Sequence, residues 1–223
     1  MKIPRISSYE IKISKTGHEV PVVNNIHLHS IYDPLKEADD FIKKNHKFLQ
    51  NKKEILFLGL GFGYHIDSAR EFLNEFHKGN YSIVIIEPNE QVTQDYISIR
   101  KIKDKNMHLY VKENIESLYF NKKLVSFLLK RPSIISHPPS FNLYKNYFKE
   151  FLTFKSPQRI GDMKRISFEK DLKKFINELD PESDIDSHIK NKLIQKKIIR
   201  NENEYLLLAL YYMSKDSMTE IKK

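Results

Sequence analysis

The residues best suited to chemistry are three glycines in "LFLGLGFGYHID", residues 56–67. Gly59, Gly61 and Gly63 stand where an apolar run gives way to an amphipathic segment. A helix N-terminus presents unpaired N–H groups and the positive end of its dipole, and glycine lets a ligand approach the backbone. The pattern therefore predicts a cradle for a nucleotide. The alternative is that the glycines only permit close packing of strand on helix.

An acidic residue and a Tyr–His pair accompany this loop. Glu87 ends the next apolar run, where an acid can accept hydrogen bonds from ribose hydroxyls. Tyr64 and His65 open the following helix, so His65 could reach a phosphate or act in acid–base catalysis. Hydrogen bonding of His65 to neighbouring loops is an equal alternative. The predicted cofactor-binding residues are Gly59, Gly61, Gly63, Tyr64, His65 and Glu87.

The differences between this loop and known glycine loops reduce the number of candidate cofactors. The dinucleotide pattern G-x-G-x-x-G requires glycine where Tyr64 stands, which disfavours NAD and FAD. The loop is more similar to that of methyltransferases that use S-adenosylmethionine, but these usually carry an acid at the position of Phe57. "SHPPSF" is similar to their (Asp/Asn)-Pro-Pro-aromatic loop, with His137 and Ser140 at the altered positions. These changes argue against an active methyltransferase.

Other polar residues have ordinary structural explanations. His27 and His29 alternate on a predicted strand and would share one face; together with His65 they could bind a metal, but no carboxylate completes the set, so no metal is predicted. Asp33 and Glu37 are explained by helix capping and i,i+4 pairing. No base is located for Ser140 as a nucleophile, and the catalytic residues stay unknown.

Strand and helix patterns alternate along the chain. A hairpin turning at 15–18 leads into a strand at 26–29 and a helix over about 34–50, capped by Asp33. Short apolar runs predict buried parallel strands at 54–60 and 81–88, and further strands are predicted at 107–111 and 132–136. Helical spacing lies between them at 63–79, 89–104, 114–120 and 124–130.

This alternation predicts the α/β class. The expected fold is a Rossmann-like (methyltransferase-like), mostly parallel sheet with helices on both faces, an N-terminal β-hairpin and a C-terminal helical tail. Residues 1–157, with the hairpin in 1–30, form one predicted domain and 158–223 a helical extension. Helices are expected near 187–199 and over 203–215, for docking, oligomerisation or closure of the sheet edge.

Composition excludes several classes of protein. With no cysteine among 223 residues, disulfides and thiolate metal sites are excluded. The net charge of +9 is spread along the chain among acidic residues, so specific nucleic-acid binding is not predicted. The first residues lack the continuous apolar segment of a signal peptide, and no apolar stretch is long enough for a membrane span, so a cytoplasmic location is expected.

Three stretches resemble the N-terminal portion of the motility accessory factor (Maf) family, bacterial proteins linked to flagellin glycosylation. "IHLHSIYDPLKEADDF" is similar to the pattern HS-x-Y-(D/N)-P-x-(K/R)-E-A of that family. "LGLGFGYHI" is close to its G-L-G-x-G-Y-H loop and is followed by "IIEPN", and "SHPPSFNLYKNYF" resembles its HP-(P/A)-x-x-x-(L/F)-x-x-Y segment. The resemblance runs from about residue 8 to about residue 155.

The resemblance implies an accessory nucleotide-binding module. Family members are taken to transfer nonulosonic acids from CMP-activated donors to flagellin, an activity associated with a central domain that this chain lacks or replaces. We therefore expect a nucleotide or nucleotide-sugar binding module, with or without catalysis, and glycosyltransferase-related if active. The predicted substrate-binding residues are His29, Ser30, Tyr32, Asp33, His137 and Ser140. The alternatives are an S-adenosylmethionine-dependent, methyltransferase-like enzyme and a non-catalytic assembly protein.

Overall fold

A computed structural model describes residues 6–100, 104–154, 158–162 and 170–185, together with 187, 188, 191, 204, 208, 211 and 212. The chain forms two compact units. The first consists of Met1–Glu113 and Lys130–Leu152, and the second of Asn114–Leu129 and Thr153–Lys223. Sequence patterns gave no sign that 114–129 group with the C-terminal part, and the predicted boundary between 157 and 158 stays a prediction.

The first unit begins with a small antiparallel sheet. Its strands β1 (Tyr9–Ile13), β2 (Glu19–Val23) and β3 (Ile26–His27) pair in chain order. The predicted turn at 15–18 joins the first two strands, with Gly17 at φ +83°. The strand predicted at 26–29 is wrong in length, because β3 ends at His27.

The central sheet of the first unit has four parallel strands in the order β6-β5-β4-β7. Their bounds are β4 Glu54–Leu58, β5 Ser82–Glu87, β6 Met107–Val111 and β7 Ser133–Ser136. Strands β4 and β5 are almost wholly buried, as their continuous apolar runs predicted. The predicted α/β, Rossmann-like fold class is confirmed.

Helices follow the strands, as the periodicity predicted for 63–79 and 89–104, whereas no helix was predicted over 138–152. In the first unit they are α1 (Pro34–Lys44), α2 (His46–Asn51), α3 (Tyr64–His77), α4 (Glu90–Arg100), α7 (Pro138–Leu143) and α8 (Lys145–Leu152). The core beneath them is built from β4 and β5 together with α1 and α3; its members include Ala38, Ile42, Phe57, Ile66 and Leu73.

The single helix predicted over about 34–50 is two helices. Asn45 separates α1 from α2 with φ −98° and ψ 8°, outside helical geometry. Its side-chain Nδ2 donates to the carbonyl oxygen of Phe41 at 2.8 Å, and its own N–H donates to the carbonyl oxygens of Phe41 and Ile42. An asparagine that satisfies the last carbonyls locally ends the helix there.

The N-terminal sheet is fastened to the helices of the first unit. The Tyr64 hydroxyl of α3 donates to the Glu19 carbonyl oxygen of β2 at 2.8 Å, and the Tyr9 hydroxyl of β1 donates to Asp95 of α4. Val23, Leu28 and Val92 form a buried cluster at the same junction. These contacts hold the segment after β3 beside the loop that follows β4.

The described residues of the second unit form helices, turns and an isolated β-bridge between Arg159 and Asp184. Its helices are α5 (Ile115–Phe120), α6 (Lys122–Leu128) and α9 (Lys170–Asn177). Ile160, Ile176, Ile185 and Tyr211 form its buried cluster. The helices expected near 187–199 and over 203–215 lie almost wholly outside the described residues, and the docking role of the tail stays a prediction.

None of the helices formed by the described residues has both the length and the apolar character needed to cross a lipid bilayer.

Asp33 provides a test of how α1 begins. Its carboxylate accepts hydrogen bonds from the N–H groups of Leu35 and Lys36, at 3.1 and 3.0 Å, and Pro34 occupies the first turn. We expect Asp33→Ala to lower the free energy of unfolding by about 1 kcal/mol, because two helix N–H groups lose their acceptor. Urea denaturation measures the change. Asp33→Asn keeps an N-cap acceptor and is the control; an equal loss in both variants would contradict the capping role.

Candidate functional site

The loop after β4 directs its backbone N–H groups into the protein. Gly59 N–H donates to the Ile86 carbonyl oxygen at 3.0 Å, and Gly63 N–H to the Leu60 carbonyl oxygen at 2.8 Å. Leu60 N–H donates to Glu87 Oε2 at 2.7 Å, and Phe62 N–H to His29 Nε2 at 2.8 Å. A phosphate cradle presents such donors to its ligand. Here these four N–H groups donate to acceptors within the chain instead.

The space above the glycines holds side chains of the same chain. A Cβ atom at Gly59 would lie 2.3 Å from the Cβ of Ser140. One at Gly61 would lie 2.5 Å from His29 Nε2 and 2.7 Å from His137 Cε1. The glycines thus admit a serine and two imidazoles against the loop, which is packing of side chains from other segments rather than of strand on helix.

Glu87 is buried beneath the loop, with 1% of its surface exposed. Its carboxylate accepts hydrogen bonds from the N–H groups of Leu60 and Asn89, at 2.7 and 2.8 Å. Burial raises the pKa of Glu87 to about 7, against the lowering effect of these two bonds. The acid expected to contact a ribose therefore serves the backbone of the loop.

Three histidines meet beside the glycine loop. His29 follows β3, His65 lies in the first turn of α3, and His137 precedes α7; each is at most 4% exposed. The His65 and His137 rings stack with centroids 4.3 Å apart and planes 4° apart. The His29 ring lies 4.8 Å from that of His137 and 5.7 Å from that of His65. We call these three side chains the histidine cluster.

The hydrogen bonds of His29 fix where its proton lies. Its Nε2 accepts the Phe62 N–H, so the proton of the neutral ring is on Nδ1, 3.3 Å from Glu37 Oε2. Glu37 also accepts the Ser30 N–H at 2.8 Å. Partial burial acts to raise the pKa of Glu37, but its bonds with His29 and Ser30 outweigh this and lower it. His29 is thus held between an ionised carboxylate and the loop backbone.

His65 has one nitrogen without a partner. Its Nε2 lies 3.3 Å from the Gly59 carbonyl oxygen, which can only accept, so Nε2 carries the proton. Its Nδ1 is buried and has no hydrogen-bond partner in the part of the chain that the structure describes. His137 Nδ1 lies 2.8 Å from the Ser140 hydroxyl oxygen. The cluster therefore contains a buried lone pair at His65.

The rings of His65 and His137 are neutral. Burial is the main cause that holds the pKa of His65 well below its ordinary value, followed by the nearby His29. Burial likewise lowers the pKa of His137, with His65 and His29 adding to the effect. Neutral imidazole offers one donor and one acceptor nitrogen and is the form that binds metal ions.

A cavity of about 390 Å³ opens onto the cluster. Its lining comes from the segment after β3, from α1 and from the residues after β4 and β7: His29, Glu37, Ala38, Asp40, Phe41, Lys44, His65, His137, Pro138 and Pro139. Three predicted site residues, His29, His65 and His137, are therefore brought together there. The other nine do not line it: Gly59, Gly61, Gly63, Tyr64, Glu87, Ser30, Tyr32, Asp33 and Ser140.

Two sequence expectations about this region are wrong. His27 does not share a face with His29, because β3 ends at His27 and leaves that ring exposed while His29 is buried. Glu37 does not pair along its helix but binds His29 and the Ser30 N–H. The face of α1 that lines the cavity was missed, although the spacing of Glu37, Phe41 and Lys44 places them on one side of a helix.

Comparisons with known proteins give no family. No protein-family model matches the chain, and no curated protein matches it. Among solved structures it is similar to MnmC2 from Aquifex aeolicus, at TM-score 0.34 and 17% identity over 53% of this chain and 46% of that one. It is also similar to spermidine synthase from Thermotoga maritima, at TM-score 0.42 and 12% identity over 71% and 64%. The chain spans less than two thirds of either protein, and the likeness is one of fold.

Gly61 tests the packing of imidazoles against the loop. Gly61→Ala places a methyl group against His29 and His137, and both Gly61 and Gly17 have positive φ, at +54° and +83°. Gly17 has nothing within 4 Å of its Cβ position, so Gly17→Ala is the matched control for backbone strain alone. We expect about 1 kcal/mol of destabilisation for Gly17→Ala and about 3 kcal/mol for Gly61→Ala in urea denaturation. Equal losses would contradict the close packing.

Glu87 gives the unfolding free energy a pH dependence of known sign. Its pKa is raised from 4.5 to about 7, so between these values the folded chain holds a proton that the unfolded chain releases. Its contribution is complete below pH 4.5 and is lost as the pH rises through about 7. Across this pH window we expect the unfolding free energy of the wild type to fall by about 3 kcal/mol more than that of Glu87→Gln. Urea denaturation across the window measures it; parallel curves would refute it.

Proposed function

We propose that this chain is a binding module for a small nucleoside-type ligand, with its site in the cavity over the histidine cluster. The position of that cavity carries the proposal. In the strand order β6-β5-β4-β7 the chain continues from β4 to β5 on one side, whereas β7 is added on the other. Ligands of open α/β sheets bind beyond the carboxyl ends of the strands at such a switch point. The cavity is lined by residues that follow β4 and β7.

The size and lining of the cavity suit such a ligand. A volume of about 390 Å³ lies within the usual range for small-molecule sites. Phe41, Pro138 and Pro139 offer apolar surface to a flat ring. The unpartnered Nδ1 of His65 requires a donor, which a ligand supplies from an amino or hydroxyl group.

The charges around the cavity favour a cationic or neutral ligand. Glu37 and Asp40 contribute two carboxylates against the single ammonium of Lys44, and the rings of His65 and His137 are neutral. S-adenosyl compounds carry a sulfonium or an ammonium group, whereas CMP-sugars carry a phosphate. The lining therefore favours the S-adenosyl class. We propose binding without methyl transfer, because Phe57 stands fully buried where methyltransferases usually carry an acid.

A CMP-sugar module of flagellin or surface glycosylation is the second candidate. The observation that favours it is the convergence of the three stretches that resemble the Maf family. One supplies His29 and Glu37, the second Gly61 and His65, and the third His137, and these residues meet at the cluster. Such convergence is expected when the shared residues serve one site.

Calorimetric titration distinguishes the two ligands. We expect S-adenosylmethionine or S-adenosylhomocysteine to bind, and CMP and CMP-N-acetylneuraminic acid to bind more weakly. Asp40→Asn removes a carboxylate from the exposed rim of the cavity and should weaken S-adenosylmethionine binding about two- to fivefold.

The matched control is Asp39→Asn on the same helix, since Asp39 lies outside the cavity lining. It should leave the affinity unchanged. Stronger binding of the CMP compounds would favour the second candidate, and no heat with any of the four ligands would overturn the proposed function.

A further inference from the structure

The histidine cluster has the donor set of a transition-metal site. His29, His65 and His137 each offer one ring nitrogen, and these three nitrogens all lie within 4.8 Å of one another. Imidazole is a ligand for Zn²⁺, Co²⁺, Ni²⁺ and Cu²⁺, whereas Mg²⁺ and Ca²⁺ prefer oxygen. Because the chain has no cysteine, a metal of this group would have to use histidine and carboxylate ligands.

The lone pair of His65 is the independent sign of a missing ligand. Its Nδ1 is buried in a residue only 1% exposed and has no hydrogen-bond partner among the described residues. A buried acceptor of this kind is costly unless something donates to it or coordinates it. It lies in a cluster of rings that face a cavity large enough to admit an ion and its water ligands.

Glu37 prepares His29 for coordination. It holds the proton on Nδ1, which leaves the lone pair on Nε2 at the side where the Phe62 N–H approaches. A carboxylate behind a metal-binding histidine is a recurrent arrangement that fixes the tautomer and strengthens the ligand. Coordination by Nε2 replaces the hydrogen bond from the Phe62 N–H, so the loop and the ion compete for one lone pair.

Full coordination requires a limited movement of the rings. Nitrogens bound to one tetrahedral Zn²⁺ stand about 2.0–2.1 Å from the ion, so they must approach more closely than 4.8 Å. The lone pairs of His65 and His137 lie in ring planes only 4° apart, and two stacked planes do not meet at one ion. One ring must therefore turn about its Cβ–Cγ bond. Among the described residues, His65 has one hydrogen bond, the 3.3 Å contact with Gly59, and His137 is bonded to Ser140 at 2.8 Å, so His65 is the stacked ring with the longer hydrogen bond to break.

We propose that His29, His65 and His137 bind one divalent transition-metal ion of the zinc class, with Glu37 as the supporting carboxylate and the cavity as its open side. Three protein ligands with one open position are the pattern of zinc sites that bind water or a substrate. The site goes beyond the proposed function, because it needs no nucleoside and would place a Lewis acid at the floor of the cavity.

Metal titration of the chelator-treated full chain, without any nucleoside, tests the site. We expect one equivalent of Zn²⁺ by calorimetry, and with Co²⁺ a visible absorption spectrum of low coordination number. His65→Gln keeps a donor to Gly59 but loses the ring nitrogen and should weaken Zn²⁺ binding at least about tenfold. The matched control His27→Gln alters an exposed histidine on β3 and should bind like the wild type.

Glu37→Gln keeps the test decisive if His65→Gln fails to fold, because the Glu37 side chain is 42% exposed and its replacement leaves the core intact. We expect about a tenfold loss of Zn²⁺ affinity from this change. The proposal is overturned if the wild type takes up no stoichiometric Zn²⁺, or if neither folded variant binds it more weakly than His27→Gln. Failure of nucleoside binding alone leaves these readouts unaffected and bears only on the proposed function.

Discussion

The structure of the first unit depends on supplying hydrogen-bond acceptors to the buried N–H groups of the loop after β4. Leu60 and Phe62 are fully buried, and a backbone N–H left unpaired at such a depth costs about 1–3 kcal/mol. Glu87 accepts from the first and His29 from the second. Strand β5 therefore ends in the acceptor for Leu60, and the segment after β3 delivers the acceptor for Phe62.

The use of these donors reverses the chemistry expected of a glycine loop. Such a loop normally offers N–H groups and attracts anions. Here the N–H groups of Gly59, Leu60, Phe62 and Gly63 are bonded inside the protein, and the adjoining cavity offers the lone pair of His65 and the carboxylates of Glu37 and Asp40. A surface rich in acceptors and negative charge selects hydrogen-bond donors and cations. The glycine pattern alone predicts the opposite preference.

Sequence patterns were sufficient to predict the strands of the central sheet but not the pairings that form the site. Continuous apolar runs located β4 and β5, since burial on both faces leaves a local signature, and short apolar runs located the edge strands β6 and β7. The capping role of Asp33 could be predicted because an N-cap bonds only to the next few residues. The partners of Glu87 and His29 lie 27 and 33 residues away, and no local pattern encodes such pairings. His137 joined the cluster only through the parallel pairing of β4 with β7.

The bond between Phe62 and His29 also constrains the order of assembly. Its two ends are 33 residues apart, and the third ring, His137, comes from a strand formed much later in the chain. Closing loops of this length requires entropy loss before any contact compensates it. The contacts that surround the glycine loop are therefore complete only when the segment after β3, β4 and the residues after β7 have come together. During synthesis on the ribosome, the packing partners His137 and Ser140 emerge last.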